Sequence, residues 1–318
     1  MDLPMFASKL FIDHPTRMWR KEKDAFLTTC CGEFLLMGYD ESEITIHNNR
    51  NRFGFDSRNL LVGKADADIL ITAHYDTPGR NGFLARLVMP SFLEKTKGQV
   101  ILFAIVITIS LVIQFATDFI VPLEYRVVVA AIAAIVLLFV IGSALVKNKH
   151  NHNDNTSGVL GVMQLASLLV TVPDLRNKCA FILFDHEEVM PGLLGSKAFE
   201  QWRKNTYPNK PVQVINLDCI GNGDVLTIET KKPHDTFHNM VEFLKNEGYI
   251  VSTKRSMGSD HESFETAFSL CFQKRSRFGF LYIPKIHTGK DTICDLKKIE
   301  DLCSSVYNFL HTTEKTVN

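Results

Sequence analysis

Excess charge of either sign is missing from this sequence. Its 318 residues hold 35 Lys and Arg against 35 Asp and Glu. No global field therefore draws the chain to a polyanion, which argues against a nucleic-acid partner. None of the seven cysteines (Cys30, Cys31, Cys179, Cys219, Cys271, Cys294, Cys303) forms a CxxC pair. That removes the usual cysteine zinc and redox motifs, and the odd number reads as reduced thiols. The first twenty residues lack an uninterrupted apolar core followed by small residues, so a cleaved signal peptide is not expected. Both features favour a folded part that faces the cytoplasm. There is no internal repeat and no low-complexity linker. What is plentiful is apolar residues, 46% of the chain, ample for a buried core in one large domain or two ordinary ones.

Two runs stand apart. Residues 98–117 (GQVILFAIVITISLVIQFAT) and 127–146 (VVVAAIAAIVLLFVIGSALV) carry no charged residue, and a helix of roughly 20 such residues spans a bilayer core. Only DFIVPLEYR lies between them. The expectation is a transmembrane helical hairpin that contacts membrane lipid through 98–146; the alternatives are buried helices or a hydrophobic arm of a soluble protein. Arg86, Lys95 and Lys97 precede the first run, and Lys147 and Lys149 follow the second. This lysine and arginine excess places both flanking parts inside the cell, in a multi-pass protein of the cell membrane.

Elsewhere, helix-like and strand-like segments alternate, which argues for α/β layers. A helix is expected from about Arg17 to Leu36, then strands at ITIHN, NLLVG and DILITAHYD. After the apolar pair come a helix at SGVLGVMQLASLLVTV, a strand at CAFILFDHEE, a helix at SKAFEQWRKN and a strand at VQVINLDCIG. The chain ends with the helix DTFHNMVEFLKNEGY, the strand-like LCFQKRSRFGFLYIPKIHT and the helix LKKIEDLCSSVYNFLHTT. Segments that carry chemistry lie on both sides of the apolar pair. Residues 85–147 therefore read as an insertion into one discontinuous domain, 1–84 with 148–318.

Five places offer ligand chemistry, each with an ordinary structural alternative. His74 and Asp76 are two apart at a strand end and share a face, which suits a metal-binding imidazole with a carboxylate to orient it; such a pair is also a common hydrogen-bonded histidine. Asp154, with Asn155, precedes a helix and can supply two oxygens to two cations or simply cap the helix. His150 and His152 are further donors, or part of a flexible histidine-containing loop. Glu187 and Glu188 repel one another, a cost easier to bear if one ligates a cation and the other handles a proton; a solvated loop explains them equally. Asp218 ends a strand, as a ligand or a turn former. His287 follows an apolar strand, with Asp291 in the next loop.

Taken in order, HYD (His74 to Asp76), NDNTSG (Asn153 to Gly158), EE (Glu187, Glu188), NLD (ending at Asp218), SDH (Ser259 to His261) and IHTGKDT (from Ile286) resemble the zinc aminopeptidases of the M28 peptidase family. The likeness runs over nearly the whole chain outside the insertion. It implies a three-layer α/β/α fold with a mixed, mostly parallel central sheet, a peptide substrate and two zinc ions, with cobalt or manganese as substitutes. The resemblance pairs His74 with Glu188 on one zinc and Asp218 with His287 on the other, with Asp154 bridging them and a cis peptide after it. It makes Asp76 the residue that orients His74, and Glu187 the general base. Ser259, Asp260 and His261 receive no role. Two features depart from the family pattern. About 80 residues separate His74 from Asp154, where other members have a short loop, and Asn153 stands where many have an acid. The alternatives are a single-zinc glutaminyl cyclase and a non-catalytic membrane receptor or scaffold on the same fold.

Overall fold

The computed structural model describes residues 1–50, 56–79, 108, 122, 125–129, 131–132, 146–188, 192–254 and 258–317. In chain order the elements are helices α1 (Leu3–Asp13) and α2 (Arg20–Met37), strands β1 (Ile44–Arg50), β2 (Asp56–Val62) and β3 (Ile69–His74), then α3 (Gly158–Leu169), α4 (Pro173–Lys178) and β4 (Cys179–Phe184). They continue with α5 (Leu194–Thr206), β5 (Gln213–Leu217), β6 (Val225–Glu229), α6 (Asp235–Asn246), β7 (Val251–Ser252), β8 (Ala267–Arg275), β9 (Leu281–Tyr282) and α7 (Leu296–Val317).

Among the described residues the strands form one sheet in the order β1-β2-β4-β3-β5-β8-β6-β7, with β9 added beside β8. Strands from both sides of the insertion are interleaved in it. The four central strands, β4, β3, β5 and β8, run parallel. At the flanks β1 on β2, β2 on β4, β6 on β8 and β9 on β8 are antiparallel, and β7 on β6 is parallel. The sheet is mixed, as expected, and its parallel pairs lie mainly at the centre.

Strand periodicity explains the layers. In β4, Cys179, Phe181 and Leu183 face one apolar cluster, and Ala180, Ile182 and Phe184 face the other. The first cluster is built with α1, α2, α3, α6 and α7, and the second with α5 through Phe199. Helix α3 is apolar nearly all round, as a helix packed between the sheet and other helices must be: Val159, Leu160, Val162, Met163, Leu165, Ala166 and Leu169 are buried.

The expected elements form, with boundaries shifted by a few residues, and four more occur. Helix α1 was legible: Asp2 accepts from the Met5 amide as N-cap, and Leu3, Phe6, Ala7 and Leu10 recur at helical spacing and are buried. Strands β6 and β7 and helix α4 are short, and tertiary pairing rather than local pattern fixes them. Of the two apolar runs, only Thr108, 127–129, 131–132 and Val146 are described; the rest lies outside the described residues. Among the described residues no helix is long and apolar enough to cross a membrane. On either side of residues 80–146, Gly79 and Lys147 pair in an antiparallel bridge.

Because Leu165 is fully buried in the larger cluster, Leu165→Ala is expected to cost about 2–5 kcal/mol. Urea unfolding would read this as a lower midpoint with an unchanged slope.

Candidate metal centre

The chemistry-bearing residues gather at one edge of the sheet, at the carboxyl ends of the parallel strands. His74 is the last residue of β3, Asp218 directly follows β5, and Glu187 and Glu188 lie just past β4. From β3 the chain reaches β4 on one side by way of α3, and from β4 it crosses to β5 on the other side by way of α5. This is a reversal of strand order, where an α/β sheet opens a crevice for a site. Asp154 comes from an irregular turn, His152–Ser157, leading into α3, and His287 from the loop after β9.

Asp154 lies at the centre. Its Oδ1 is 3.4 Å from His74 Nε2, which in turn is 3.8 Å from Asp218 Oδ1. Its Oδ2 is 2.9 Å from His287 Nε2, which is 3.0 Å from Glu188 Oε2. The ligand atoms therefore sort into two groups, His74 with Asp154 and Asp218, and Asp154 with Glu188 and His287, each within 4.8 Å. This differs from the pairing the resemblance supplied. His74 also lies within 4.8 Å of Glu187 and Glu188, but Asp218 and His287 fall on opposite sides of Asp154. The strand order sets this, since β3 and β5 are neighbours and carry His74 and Asp218 side by side.

The donor set fits a cation. Asp154 Oδ2, Asp218 Oδ1 and His287 Nε2 are buried and form no hydrogen bond, although oxygen and nitrogen approach closely. Donors that converge without hydrogen-bond alignment aim at a common point, and imidazole and carboxylate are donors that zinc accepts. Charge points the same way. Asp76, Asp154, Glu187, Asp218, Asp260 and Asp291 are all buried here. Burial alone would lower the His74 and His287 imidazoles. The carboxylates outweigh it and hold both well above their ordinary value, chiefly Asp154 at His74, and Glu188 and Asp154 at His287. Burial pushes Asp260 and Asp291 up to about 7. The pocket thus resists further negative charge and favours a positive one.

A second set of groups fixes the first. Asp76 was expected to orient His74, and its carboxylate lies at ion-pair distance, 3.6 Å, from Nδ1, while the imidazole also meets the Asp76 backbone oxygen at 3.3 Å. The carboxylate also accepts the Glu187 and Glu188 amides, both at 3.0 Å, and so holds the two acids in place. Asn155 Oδ1 accepts from the amides of Gly158 and Cys219, and its Nδ2 donates to Leu217 O, which ties the Asp154 turn to the Asp218 turn. The capping alternative is therefore right for Asn155 and not for Asp154. Asp291 accepts from the Asn153 and Asp154 amides. The Asp154–Asn155 peptide is cis, as the resemblance implies. His186, Cys219 and His287 adopt left-handed backbone conformations, unfavourable for residues with a side chain, and each lies at a ligand turn.

Arg17 escaped the sequence reading. It is fully buried and donates to the backbone oxygens of Tyr75 and His14 and to Thr156 Oγ1. Burial lowers its guanidinium to about 10, so it stays charged at neutral pH beside Asp76 and Asp154. Lys23, also buried, pairs with Asp185 at 2.5 Å behind the two glutamates. Neither cation carries a local sequence signal. His150 and His152 take no part: the His152 ring stacks on Phe11 and meets Thr292 O, and neither histidine belongs to a ligand group. Ser259, Asp260 and His261 are buried, and Ser259 accepts from Asn216, beneath the Asp218 turn.

Comparison with known proteins bears on the family profile and the fold. Residues 146–302 match the profile of Peptidase family M28. Similar folds occur in the LapA aminopeptidase of Legionella pneumophila, at 15% identity and a TM-score of 0.60, covering 97% of this chain and 70% of that one. The glutaminyl cyclase of Bacteroides thetaiotaomicron bound to N-acetylhistamine gives 14% and 0.64, with 97% and 96% covered. A zinc aminopeptidase from Bacillus subtilis gives 17% and 0.51, with 82% and 51% covered. No curated protein matches the sequence.

Gly158 has no room for a side chain: a Cβ would lie 2.3 Å from both Asn155 Oδ1 and Leu217 O. Gly158→Ala is therefore expected to cost at least about 1–3 kcal/mol through overpacking and to lower metal content. Thermal unfolding and metal analysis of the purified variant check both; unchanged values in both would contradict the tight stitching of the two turns.

Proposed function

We propose that this chain is a metallopeptidase that hydrolyses peptide bonds at a two-zinc centre, acting as an aminopeptidase. The observation that carries this reading is Asp154, which turns one carboxylate oxygen toward His74 and Asp218 and the other toward Glu188 and His287. One zinc would be held by the first group, the other by the second. When bound, such ions supply Lewis acidity, lowering the pKa of a water toward about 7 and polarising a carbonyl.

Glu187 is the general base. It is buried and lies within 4.8 Å of the His74 and Glu188 ligand atoms. Its carboxylate takes a proton from the attacking water and returns it to the leaving amine. Asp76 fixes Glu187 for this task through the backbone amide. Cobalt and manganese also suit nitrogen and oxygen donors. A single-zinc glutaminyl cyclase would need only one of the two ligand groups, and a scaffold would need neither.

The same proposal anchors the chain in the cell membrane through 98–117 and 127–146, with the catalytic part on the cytoplasmic side. Its support is the charge-free length of both runs and the lysines and arginines that flank them.

Purified protein is expected to cleave peptides with a free amino terminus and to leave N-blocked ones intact, with two zinc ions per chain. Release of pyroglutamyl product from peptides with N-terminal glutamine, at one zinc per chain, would select the cyclase instead. Glu187→Gln should retain metal and lose roughly 100- to 10,000-fold in kcat; undiminished turnover would remove Glu187 as the base. His287→Ala should reduce bound zinc, and two zinc ions retained per chain would exclude it as a ligand.

A further inference from the structure

We propose that the β8–β9 hairpin is a membrane-interface anchor whose aromatic tip enters the headgroup region of an anionic lipid surface, on the side of the molecule that holds the metal centre. The inference rests on the reading of the chain as membrane-anchored. The hairpin itself is fully described.

Strand β8 runs parallel to β5, with Leu270 opposite Leu217. Asp218 leaves the sheet at that level, while β8 continues for five more residues to Arg275. The chain turns over 276–280 and returns as β9, pairing Lys274 with Tyr282 and Arg275 with Leu281. The turn is a defined structure. Ser276 donates its amide to Phe280 O at 2.7 Å, Gly279 donates to Ser276 O at 3.0 Å, and Gly279 takes the left-handed φ of 83°. The hairpin therefore projects past the ligand-bearing edge of the sheet.

Its side chains sort by face. Leu281 and Ile283 point inward and are buried. Phe278 is 86% exposed, Phe280 46% and Tyr282 39%. Along the ribbon and the loop that follows it come Lys274, Arg275, Arg277, Lys285 and Lys290, and the seventeen residues from 274 to 290 contain no Asp or Glu. Among the described residues none of these five cations forms an ion pair. A chain with balanced charges has placed Arg275 and Arg277 within three residues of Phe278, the most exposed phenylalanine among the described residues. Aromatic rings flanked by unpaired lysine and arginine match a lipid interface, where rings lie at headgroup depth and cations meet lipid phosphates. A protein partner would be expected to meet a broader apolar face than the tip of a two-stranded ribbon.

The position agrees with the anchor. The insertion that carries both apolar runs begins and ends at the Gly79–Lys147 bridge, beyond the carboxyl end of β3 at the same edge of the sheet. One residue further, Asn148 donates to Thr288 O at 3.3 Å, in the loop that follows β9. The exits toward the apolar runs, the metal centre and the basic aromatic hairpin thus share one side.

The test uses the full chain reconstituted in vesicles of phosphatidylcholine alone or mixed with phosphatidylglycerol, each with lipid brominated near the headgroup end of its acyl chains. Phe278→Trp adds an emitter at the tip, and the unchanged chain supplies the background from Trp19 and Trp202. In anionic vesicles the added emission is expected to shift to the blue and to be largely quenched. Adding Arg275→Glu and Arg277→Glu should remove most of that quenching. Added emission that stays unquenched and unshifted overturns the hairpin proposal, whether or not the tip binds a protein or a second copy. Alkaline carbonate extraction of the same vesicles judges the apolar runs separately. Quenching in chains that carbonate releases supports the hairpin and rejects the spans, whereas absence of quenching in chains that resist release does the reverse.

Discussion

Carboxylates buried within a few ångströms of one another repel unless a positive charge lies among them. At this centre Asp154, Glu188 and Asp218 face each other across two imidazoles, with Asp76, Glu187, Asp260 and Asp291 close by and nearly all water excluded. Most of the surrounding structure serves to hold that arrangement. Arg17 brings a buried positive charge from the segment between α1 and α2, and Lys23 brings another from α2 to Asp185. Backbone amides at the turns donate to Asp76, Asn155 and Asp291. The two cations lie behind the centre and neutralise only part of the assembled charge, so the ligands themselves call for metal.

The sheet explains how such a cluster can be held. Three of the parallel strands, β3, β4 and β5, end at one edge, and each contributes one or two residues at or just past its end. Where a turn must bend sharply, His186, Cys219 and His287 adopt left-handed conformations that an unconstrained chain would avoid. Rigid strands and over-determined turns together give a site whose geometry depends little on loop motion.

Much of this was legible in the sequence, because strand-end residues carry both a periodic signal and a chemical one. DILITAHYD announced a buried strand and its His74; CAFILFDHEE did the same for Glu187 and Glu188. Their pairing across space was not legible. It depends on β3 lying between β4 and β5, and strand order is set by crossovers that no local pattern encodes. Arg17 and Lys23 were invisible for a related reason: a lysine or arginine in a mixed-charge segment reads as solvated, and only the fold buries it against Thr156 or Asp185. Spacing could place Asp76 beside His74 but could not show that the same carboxylate also holds the two glutamate amides.

The Gly79–Lys147 bridge has a consequence for how such a chain can change over time. It holds the two ends of a 67-residue excursion, 80–146, as immediate neighbours. Joining ends that already touch makes closure entropy depend only weakly on what lies between, about 0.6 kcal/mol per doubling of length. The catalytic core is therefore nearly indifferent to the size of the segment it carries there. An ancestor with a short turn at that point could have acquired two apolar runs, or a descendant could shed them, while the strands that bear His74 and Asp218 kept their register. The bridge is a graft point: what lies between Gly79 and Lys147 can vary in length while the ligand-bearing strands stay as they are.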